Sequence, residues 1–308
     1  MKDKVIVIVG PTASGKTTLS IELAKKINGE IISADSMQIY KDMDIGTAKV
    51  TEEEANGIKH YLVDFVSPEQ RYTVSDFKRD SENAIQEIIN NNKIPIVVGG
   101  TGLYINSLIY GIEYQDMNFD EEYRNKLIKV SETEDGLKTL YEEANKIDPN
   151  AMKKIEYTDK KRIIRVLEIY KATGKTKTEL EILSKAKGIK YDFKVFGITM
   201  DRKVLYDRIN KRVDLMIESG LIEEVKDILD KYKKFPTAMQ ALGYKEVIDF
   251  FDGKCSKDEM IEKIKQESRR YAKRQLTWFR RNKEIMWLDA NDGLQNNINI
   301  ILEGINWR

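Results

Sequence analysis

A glycine-rich run near the amino terminus is the part of this sequence best suited to chemistry. It reads GPTASGKT and matches G-x-x-x-x-G-K-[ST], the pattern of a phosphate-binding loop. Glycines let successive backbone N–H groups turn toward an anion, and the start of the following helix adds a partial positive charge. Lys16 supplies a full charge, and the Thr17 hydroxyl can hold Mg²⁺. The predicted polyphosphate site consists of Gly10, Pro11, Thr12, Ala13, Ser14, Gly15, Lys16 and Thr17.

Two further loops carry polar groups that could act on a bound phosphate ester. Asp35 follows the strand-like run EIISA, and a carboxylate beside a phosphate site can serve as a magnesium ligand or a general base. The alternative is that Asp35 and Ser36 cap a following helix. Thr101 lies in the turn GGTG, where its hydroxyl could orient a substrate, although an ordinary tight turn is the alternative. The Gln38 amide could read the edge of a base.

Basic residues occur at helical spacing in three places. Arg162 and Arg165 are three positions apart, and Arg208 and Arg212 are four apart. Each pair predicts a compact anion site, with a solvated helix face as the alternative. The basic residues of segment 268–281, SRRYAKRQLTWFRR, could contact a phosphate backbone. The residues of that segment predicted to face inward are Tyr271, Leu276 and Phe279.

Strand-like runs alternate with helical patterns and predict the element order that would position these loops. Such alternation indicates a parallel sheet, in which ligands bind beyond the carboxyl ends of the strands. The predicted fold is therefore α/β, a P-loop NTPase-like parallel sheet flanked by helices. Residues 113–193 contain charged helical sequence without a strand-like run and predict an all-helical insertion domain between core segments 1–112 and 194–308. After residue 200 only helices are expected. The strand-like runs are VIVIV at 5–9, EIISA at 30–34, IPIVV at 94–98 and KVFGITM at 194–200.

Composition excludes several classes of protein. The 308 residues are 41% apolar and carry 52 basic against 51 acidic side chains, so net charge alone does not indicate nucleic acid. No apolar run approaches membrane-spanning length and no signal-peptide pattern is evident, so a cytoplasmic protein is expected. Cys255 is the single cysteine, which excludes an intrachain disulfide, and His60 is the single histidine. Nothing requires a second copy of the chain, and we expect a monomer.

Longer motifs resemble those of one family, the bacterial tRNA dimethylallyltransferases, also called tRNA isopentenyltransferases or IPP transferases. Three positions depart from the family pattern: Val50 stands where proline is usual, Lys59 where a second histidine is common, and Leu242 where isoleucine is usual. The matching motifs are GPTASGKT (10–17), SADSMQIYKDMDIGTAKVT (33–51), HYLVDFVSP (60–68), VGGTGLYI (98–105), RIIRVLEIYKATGK (162–175), ALGYKE (241–246) and KRQLTWFRR (273–281).

The resemblance implies a reaction and roles for the residues above. A dimethylallyl group would pass from dimethylallyl diphosphate to N6 of the adenosine 3′-adjacent to the anticodon, in tRNAs that read codons beginning with U. Lys16, Asp35 and Thr101 would be catalytic, with Mg²⁺ on Thr17. Arg208 and Arg212 would join the loop at residues 10–17 in binding the diphosphate.

The resemblance also implies a tRNA-binding surface. The helical insertion would hold the anticodon stem-loop. A P-loop kinase using ATP is the alternative enzyme, and an RNA-binding module with a residual nucleotide site is the alternative outside catalysis. The implied tRNA-binding residues are Asp35, Ser36, Met37, Gln38, Thr101, Arg124, Lys161, Arg162, Ile163, Ile164, Arg165, Gln240, Ala241, Leu242, Gly243, Tyr244 and Lys245.

Overall fold

The computed structural model describes residues 2–113, 120–186 and 188–305. Contacts divide the chain into two units. The core unit comprises Met1–Ile109 with Lys190–Arg308, and the helical unit comprises Tyr110–Ile189. The predicted insertion, residues 113–193, overlaps the second of these.

The core unit is built on six parallel strands arranged in the order β3-β2-β4-β1-β5-β6. In the central strand, Ile8 pairs with Val98 on one side and Phe196 on the other. The predicted α/β class is confirmed. Because strands buried on both faces must be apolar throughout, the runs that predicted them are continuous rather than alternating. The strands are β1 (Lys4–Val9), β2 (Gly29–Ser33), β3 (His60–Tyr61), β4 (Ile94–Gly99), β5 (Asp192–Thr199) and β6 (Met286–Asp289).

Two edge strands were absent from the predicted set. The expectation that only helices follow residue 200 was wrong, because β6 pairs with β5 from Phe196 to Thr199. The β6 sequence MWLD has only Leu288 fully buried and no β-branched run. Strand β3 has two residues. Segments this short are stabilised by pairing with distant strands, which no local pattern reveals.

Helices flank the sheet and make up the described part of the helical unit. In chain order, the core unit begins with α1 (Lys16–Ile27), α2 (Glu52–Ala55), α3 (Val74–Asn90) and α4 (Gly102–Ile109). The helical unit contains α5 (Glu121–Val130), α6 (Glu134–Ile147), α7 (Pro149–Met152), α8 (Lys160–Thr173) and α9 (Lys177–Ala186). The core unit then continues with α10 (Arg202–Glu218), α11 (Leu221–Lys231), α12 (Tyr244–Phe251), α13 (Lys257–Phe279) and α14 (Leu294–Gly304). None of the helices in the described ranges is long and apolar enough to span a membrane.

The two largest apolar clusters in the described part of the core unit pack its helices onto the sheet and onto the turns after β2. One lies between the sheet, α1 and α14 and includes Leu23 and Phe196. The other joins the chain after β2 to α10–α13 and is centred on Tyr40, Val225 and Tyr244, each with no exposed surface. Burying a large apolar side chain contributes about 1.5–3 kcal/mol. The second cluster therefore fixes the polar turns after β2 against helices that are distant in sequence.

The helical unit has a separate core formed by α5, α6 and α8. Leu127, Leu140 and Leu167 are buried in it. Ile163 and Ile164, both named among the expected tRNA-binding residues, are buried there as well. Their side chains stabilise the helix that carries Arg162 and Arg165, and a part for them in tRNA contact stays a prediction.

Candidate active site

The phosphate-binding loop connects β1 to α1 in the conformation that its glycine pattern predicts. Gly15 precedes the helix with φ of 88°, a left-handed conformation that costs little only without a Cβ atom. The residue before α1, Gly15, provides no side-chain cap, which leaves N–H groups of the first turn for an external anion. The Ser14 hydroxyl is buried, and no hydrogen-bond partner for it lies in the described part of the chain. These unsatisfied donors fit a bound phosphate.

Three charged side chains converge beside this loop. The Lys16 ammonium donates to the carbonyl of Pro11 at 2.7 Å, and Arg212 Nη1 donates to Thr12 Oγ1 at 3.4 Å. Burial and then the charge of Arg212 lower the pKa of Lys16 to about 8, and Asp35 opposes both effects. Burial also lowers the pKa of Arg212, again opposed by Asp35. The structure thus brings Lys16, Arg212 and Asp35 into one desolvated cluster in which charges interact strongly.

Asp35 is oriented by the backbone that follows it. Its Oδ1 atom accepts hydrogen bonds from the N–H groups of Met37, at 2.9 Å, and Gln38, at 3.4 Å. This is a turn closed by an aspartate side chain. The next helix does not begin until Glu52, so the alternative that Asp35 and Ser36 cap a following helix was wrong. The carboxylate is held at the wall of a cavity, where it could accept a proton.

Thr101 joins the turn after β4 to the turn after β2. Its Oγ1 atom accepts a hydrogen bond from the N–H group of Ser36 at 3.1 Å, and its own N–H donates to Ala34 at 3.2 Å. A Cβ atom on Gly99 would lie 2.2 Å from the Ala34 carbonyl oxygen, so glycine permits this close approach. Thr101 therefore positions the residues beside Asp35.

Gln275 connects two of the loops and was not among the candidate residues. Its Oε1 accepts from the N–H group of Thr12 at 2.9 Å, and its Nε2 donates to the carbonyl of Gly100 at 3.0 Å. A Cβ atom on Gly100 would lie only 2.1 Å from that nitrogen, and one on Gly102 would lie 2.3 Å from Trp278 Cδ1. The available signal was a polar amide next to Leu276, which the sequence predicts to face inward, on a helix whose basic residues alone were considered for ligand contact.

Two cavities of the core unit adjoin this cluster, and Arg212 and Met216 line both. The first has a volume of about 860 Å³ and is lined by the loop from Ala13 to Thr18, together with Arg208. The second, of about 320 Å³, is lined by polar and apolar groups. The first suits a phosphorylated compound and the second a partly apolar group. The side chains that line the second cavity include Asp35, Ser36, Met37, Val213, Met216, Gln240, Leu242 and Tyr271.

Tyr271 and Phe279, both predicted to face inward, lie in different surroundings. Phe279 is buried in the apolar interior, whereas the half-buried Tyr271 lines the second cavity. Burial and then the charge of Asp35 raise the pKa of Tyr271 to about 12. The phenol therefore stays protonated at neutral pH and can donate a hydrogen bond into this cavity.

Gln38 uses its amide within the protein. Its Nε2 donates to the carbonyls of Thr47, at 3.2 Å, and Ala48, at 3.0 Å, and its Oε1 accepts from the Ser33 hydroxyl at 3.1 Å. Reading a base edge would require Gln38 to exchange these bonds. That role stays a prediction, and the bonds assign Gln38 a further part in supporting the loop at residues 47–48.

The expected tRNA-binding segment 240–245 is divided between surface and interior. Gln240 is exposed and lines the second cavity together with Leu242, and Lys245 is exposed. Ala241 is buried, and the fully buried Tyr244 donates its hydroxyl to Glu224 at 2.5 Å. Ala241 thus forms part of the cavity wall despite its burial, and Tyr244 supports the segment from behind.

In the helical unit, a buried carboxylate brings two expected tRNA-binding arginines together. Glu168 is 2% exposed. Its Oε1 lies 3.4 Å from Arg124 Nη1, and its Oε2 lies 4.0 Å from Arg165 Nη1. Arg162 instead lies near Asp159, 3.3 Å from Nε to Oδ2, and Lys161 is exposed. The Arg124–Glu168–Arg165 cluster could present two guanidinium groups to phosphates, since both arginine side chains are 38% exposed.

Comparisons with known proteins identify relatives across nearly the whole chain. A family model described as IPP transferase matches residues 38–282. The tRNA dimethylallyltransferase of Acetivibrio thermocellus is 51% identical over 291 residues, spanning 94% of this chain and 93% of the relative. The corresponding protein of Carboxydothermus hydrogenoformans is 52% identical over 290 residues, with the same coverage.

Two solved structures have the same fold as this chain. A full-length tRNA isopentenylpyrophosphate transferase from Bacillus halodurans superposes with a TM-score of 0.73 at 42% identity, covering 98% of this chain and 97% of its own. A eukaryotic dimethylallyltransferase acting on tRNA superposes with a TM-score of 0.78 at 33% identity, covering 97% of this chain and 77% of its own.

Proposed function

The chain belongs to the IPP transferase family, and we propose that it transfers a dimethylallyl group from dimethylallyl diphosphate to tRNA. The acceptor is N6 of the adenosine 3′-adjacent to the anticodon in tRNAs that read codons beginning with U. The products are N6-isopentenyladenosine and diphosphate. The observation that carries this proposal is the cluster of Lys16, Arg212 and Asp35 where two cavities share Arg212.

The first cavity would hold the diphosphate. The free N–H groups at the start of α1, the Lys16 ammonium and Arg212 offer donors to its oxygens, with the more exposed Arg208 at the margin. As the carbon–oxygen bond breaks, the diphosphate takes the electron pair and its negative charge grows. Donors already fixed in a desolvated site stabilise that charge without reorganisation.

The second cavity would receive the adenine. An exocyclic amine inside a stacked loop is out of reach, so the base must leave its stack to enter the protein. The N6 nitrogen forms a bond to the allylic carbon, and a proton leaves N6. Asp35 is held at this cavity with Oδ1 fixed by two backbone N–H groups, and its carboxylate accepts that proton or orients the amine.

Mg²⁺ is the proposed metal. The Thr17 hydroxyl lines the first cavity next to Lys16, where one hydroxyl plus diphosphate oxygens and water would complete the oxygen ligands that Mg²⁺ prefers. Among the described residues no group of three acidic, histidine or cysteine side chains could hold a metal ion. When bound, the metal would offset the charge of the leaving diphosphate.

One assay tests the function against its alternatives. The protein is incubated with Mg²⁺, labelled dimethylallyl diphosphate and unmodified tRNA that reads codons beginning with U. Labelled N6-isopentenyladenosine supports the proposal. Phosphoryl transfer from ATP would instead support the kinase, which the named relatives do not favour, and tRNA binding without turnover would support the RNA-binding module.

The lowered pKa of Lys16 predicts a pH dependence for diphosphate binding. Because the charged ammonium binds the anion, affinity should be full well below the pKa of about 8 and should fall as the pH rises through it. We expect the dissociation constant for inorganic pyrophosphate with Mg²⁺ to rise up to about tenfold per pH unit above that point. Titration calorimetry between pH 7 and pH 9.5 measures this dissociation constant. Lys16→Arg stays charged and should flatten the profile, whereas equal slopes in both proteins would contradict the assignment.

The cluster in the helical unit predicts a salt-dependent contribution to tRNA binding. Removing the arginines alone would leave Glu168 as an uncompensated buried charge, at a cost of about 3–5 kcal/mol, so all three residues are changed to Gln. We expect the slope of log K against log salt concentration to decrease in magnitude by about 1–2. Filter binding with an anticodon stem-loop measures it. The exposed Lys138→Gln is the control, and identical slopes in both variants would exclude the contact.

A further inference from the structure

The loop at residues 42–49 forms part of the wall of both cavities. Asp44, Ile45 and Lys49 line the first cavity, whereas Gly46 and Thr47 line the second. A change in the path of this loop would alter both cavities together. The group that holds its backbone in place is consequently able to influence the binding of both substrates.

That group is the carboxylate of Glu224 on α11. Its Oε2 accepts hydrogen bonds from the N–H groups of Asp44, at 2.9 Å, and Ile45, at 2.6 Å. Its Oε1 accepts from the N–H group of Gly46 at 3.1 Å and from the Tyr244 hydroxyl at 2.5 Å. Three consecutive N–H groups that converge in this way form an anion-binding nest. An ionised carboxylate can accept all four hydrogen bonds, whereas an amide side chain offers only one accepting oxygen.

Close packing around Gly46 allows only glycine at this position of the loop. A Cβ atom on Gly46 would lie 2.4 Å from the ring of Tyr244 and 2.8 Å from Leu221. Any other residue at position 46 would push the backbone away from Glu224. Glycine, the tyrosine ring and the carboxylate therefore form one support for the loop, assembled from segments far apart in the chain.

Further hydrogen bonds connect the loop at residues 42–49 to Asp35, the proposed proton acceptor. Residues Thr47 and Ala48, directly after the nest, accept the hydrogen bonds of the Gln38 amide. The backbone N–H of Gln38 in turn donates to Asp35 Oδ1. A contiguous series of hydrogen bonds and covalent links thus runs from Glu224 through the loop to Gln38 and Asp35.

We propose that Glu224 is a positioning residue for prenyl transfer, acting by fixing the loop at residues 42–49 between the two cavities. The inference rests on the proposed function and extends it to a residue that lines neither of the two cavities. Glu224→Gln retains the size of the side chain but provides fewer acceptors and turns an amide N–H₂ toward the backbone donors. At least one bond of the nest is then lost, and the loop is released.

The experiment compares Glu224→Gln with Glu223→Gln, a change at the exposed neighbouring position of the same helix. We expect kcat/KM for dimethylallyl diphosphate to fall about 10- to 100-fold in Glu224→Gln and less than about twofold in the control, because small displacements of bound groups have effects of this size. Amide hydrogen exchange at residues 44–46 should accelerate in Glu224→Gln alone. All assays are run well below the melting temperature of each variant, so that the folded fraction is equal.

Two outcomes would overturn the proposal. The first outcome is a Glu224→Gln protein with a lower melting temperature or faster amide exchange but unchanged kcat/KM, which would make Glu224 a purely structural residue. The second applies if Glu224→Gln does not fold. Tyr244→Phe, which removes only the phenol donor, is then tested in its place, and an unchanged kcat/KM in that variant would overturn the proposal. Binding of inorganic pyrophosphate with Mg²⁺ separates this inference from the proposed function. Weaker binding by Glu224→Gln, in a protein whose wild type transfers no prenyl group, would reject the function while retaining the role in the loop.

Discussion

Replacement of Asp35 by Asn should lower kcat by about 10²- to 10⁴-fold, the usual contribution of a positioned general base. The amide oxygen can still accept the N–H groups of Met37 and Gln38, so the turn is preserved. The amide cannot take a proton from the adenine amine. We therefore expect the loss in single-turnover rate, with the tRNA dissociation constant changed by less than about threefold.

The comparison for this variant is Asp207→Asn, an exposed aspartate on α10 that does not line either cavity. The assays are run at pH 7, because Asp35 raises the pKa of Lys16 and its removal would lower the charge of that lysine at higher pH. Full turnover in Asp35→Asn would exclude both proton transfer to Asp35 and a requirement for its charge.

Replacement of Gln275 by Leu should damage both stability and catalysis. Leu is similar in size but leaves the Thr12 N–H and the Gly100 carbonyl without their partner, at about 1–3 kcal/mol for each group. The free energy of unfolding should fall by about 2–4 kcal/mol in urea titrations. Because the two loops would no longer be linked, kcat/KM should decrease about 10²-fold.

Thr277→Ala is the matched control for Gln275→Leu. Thr277 lies two positions further along α13, is exposed, and donates its hydroxyl to the Lys273 carbonyl of its own helix. We expect the free energy of unfolding and kcat/KM of Thr277→Ala to stay near those of the wild type. If Gln275→Leu lost stability yet kept wild-type kcat/KM below its melting temperature, the link between the loops would have no part in catalysis.

The central fold and the phosphate-binding loop could be predicted because their physical signals are local. The continuous apolar runs at 5–9 and 94–98 correspond to buried parallel strands, and glycines of GPTASGKT occupy the positions that the loop conformation requires. Asp35 and Thr101 were selected because residues that follow the ends of parallel strands meet at one edge of a sheet. Arg212 was selected with Arg208 as a basic pair on α10, the helix that follows β5. The kinds of residue and their order were sufficient for these predictions.

Contacts between distant segments could not be predicted in this way. Gln275 and Glu224 are single polar residues on helices, where a solvated position is the usual interpretation. Their function depends on which backbone group they contact. Gln275 donates to the carbonyl of Gly100, 175 positions away in the chain, and Glu224 accepts from the N–H group of Gly46, 178 positions away. The same reason explains the missed strand at Met286–Asp289, whose partner is β5.

The α/β class and the anion-binding loop follow from the order of residues, because backbone sterics and apolar periodicity act over a few neighbouring positions. The proximity of Lys16, Arg212 and Asp35, and the bonds by which Gln275 and Glu224 hold the loops around them, arise only from packing. Burial and charge interactions depend on distances through space, and those are set only when the chain has packed.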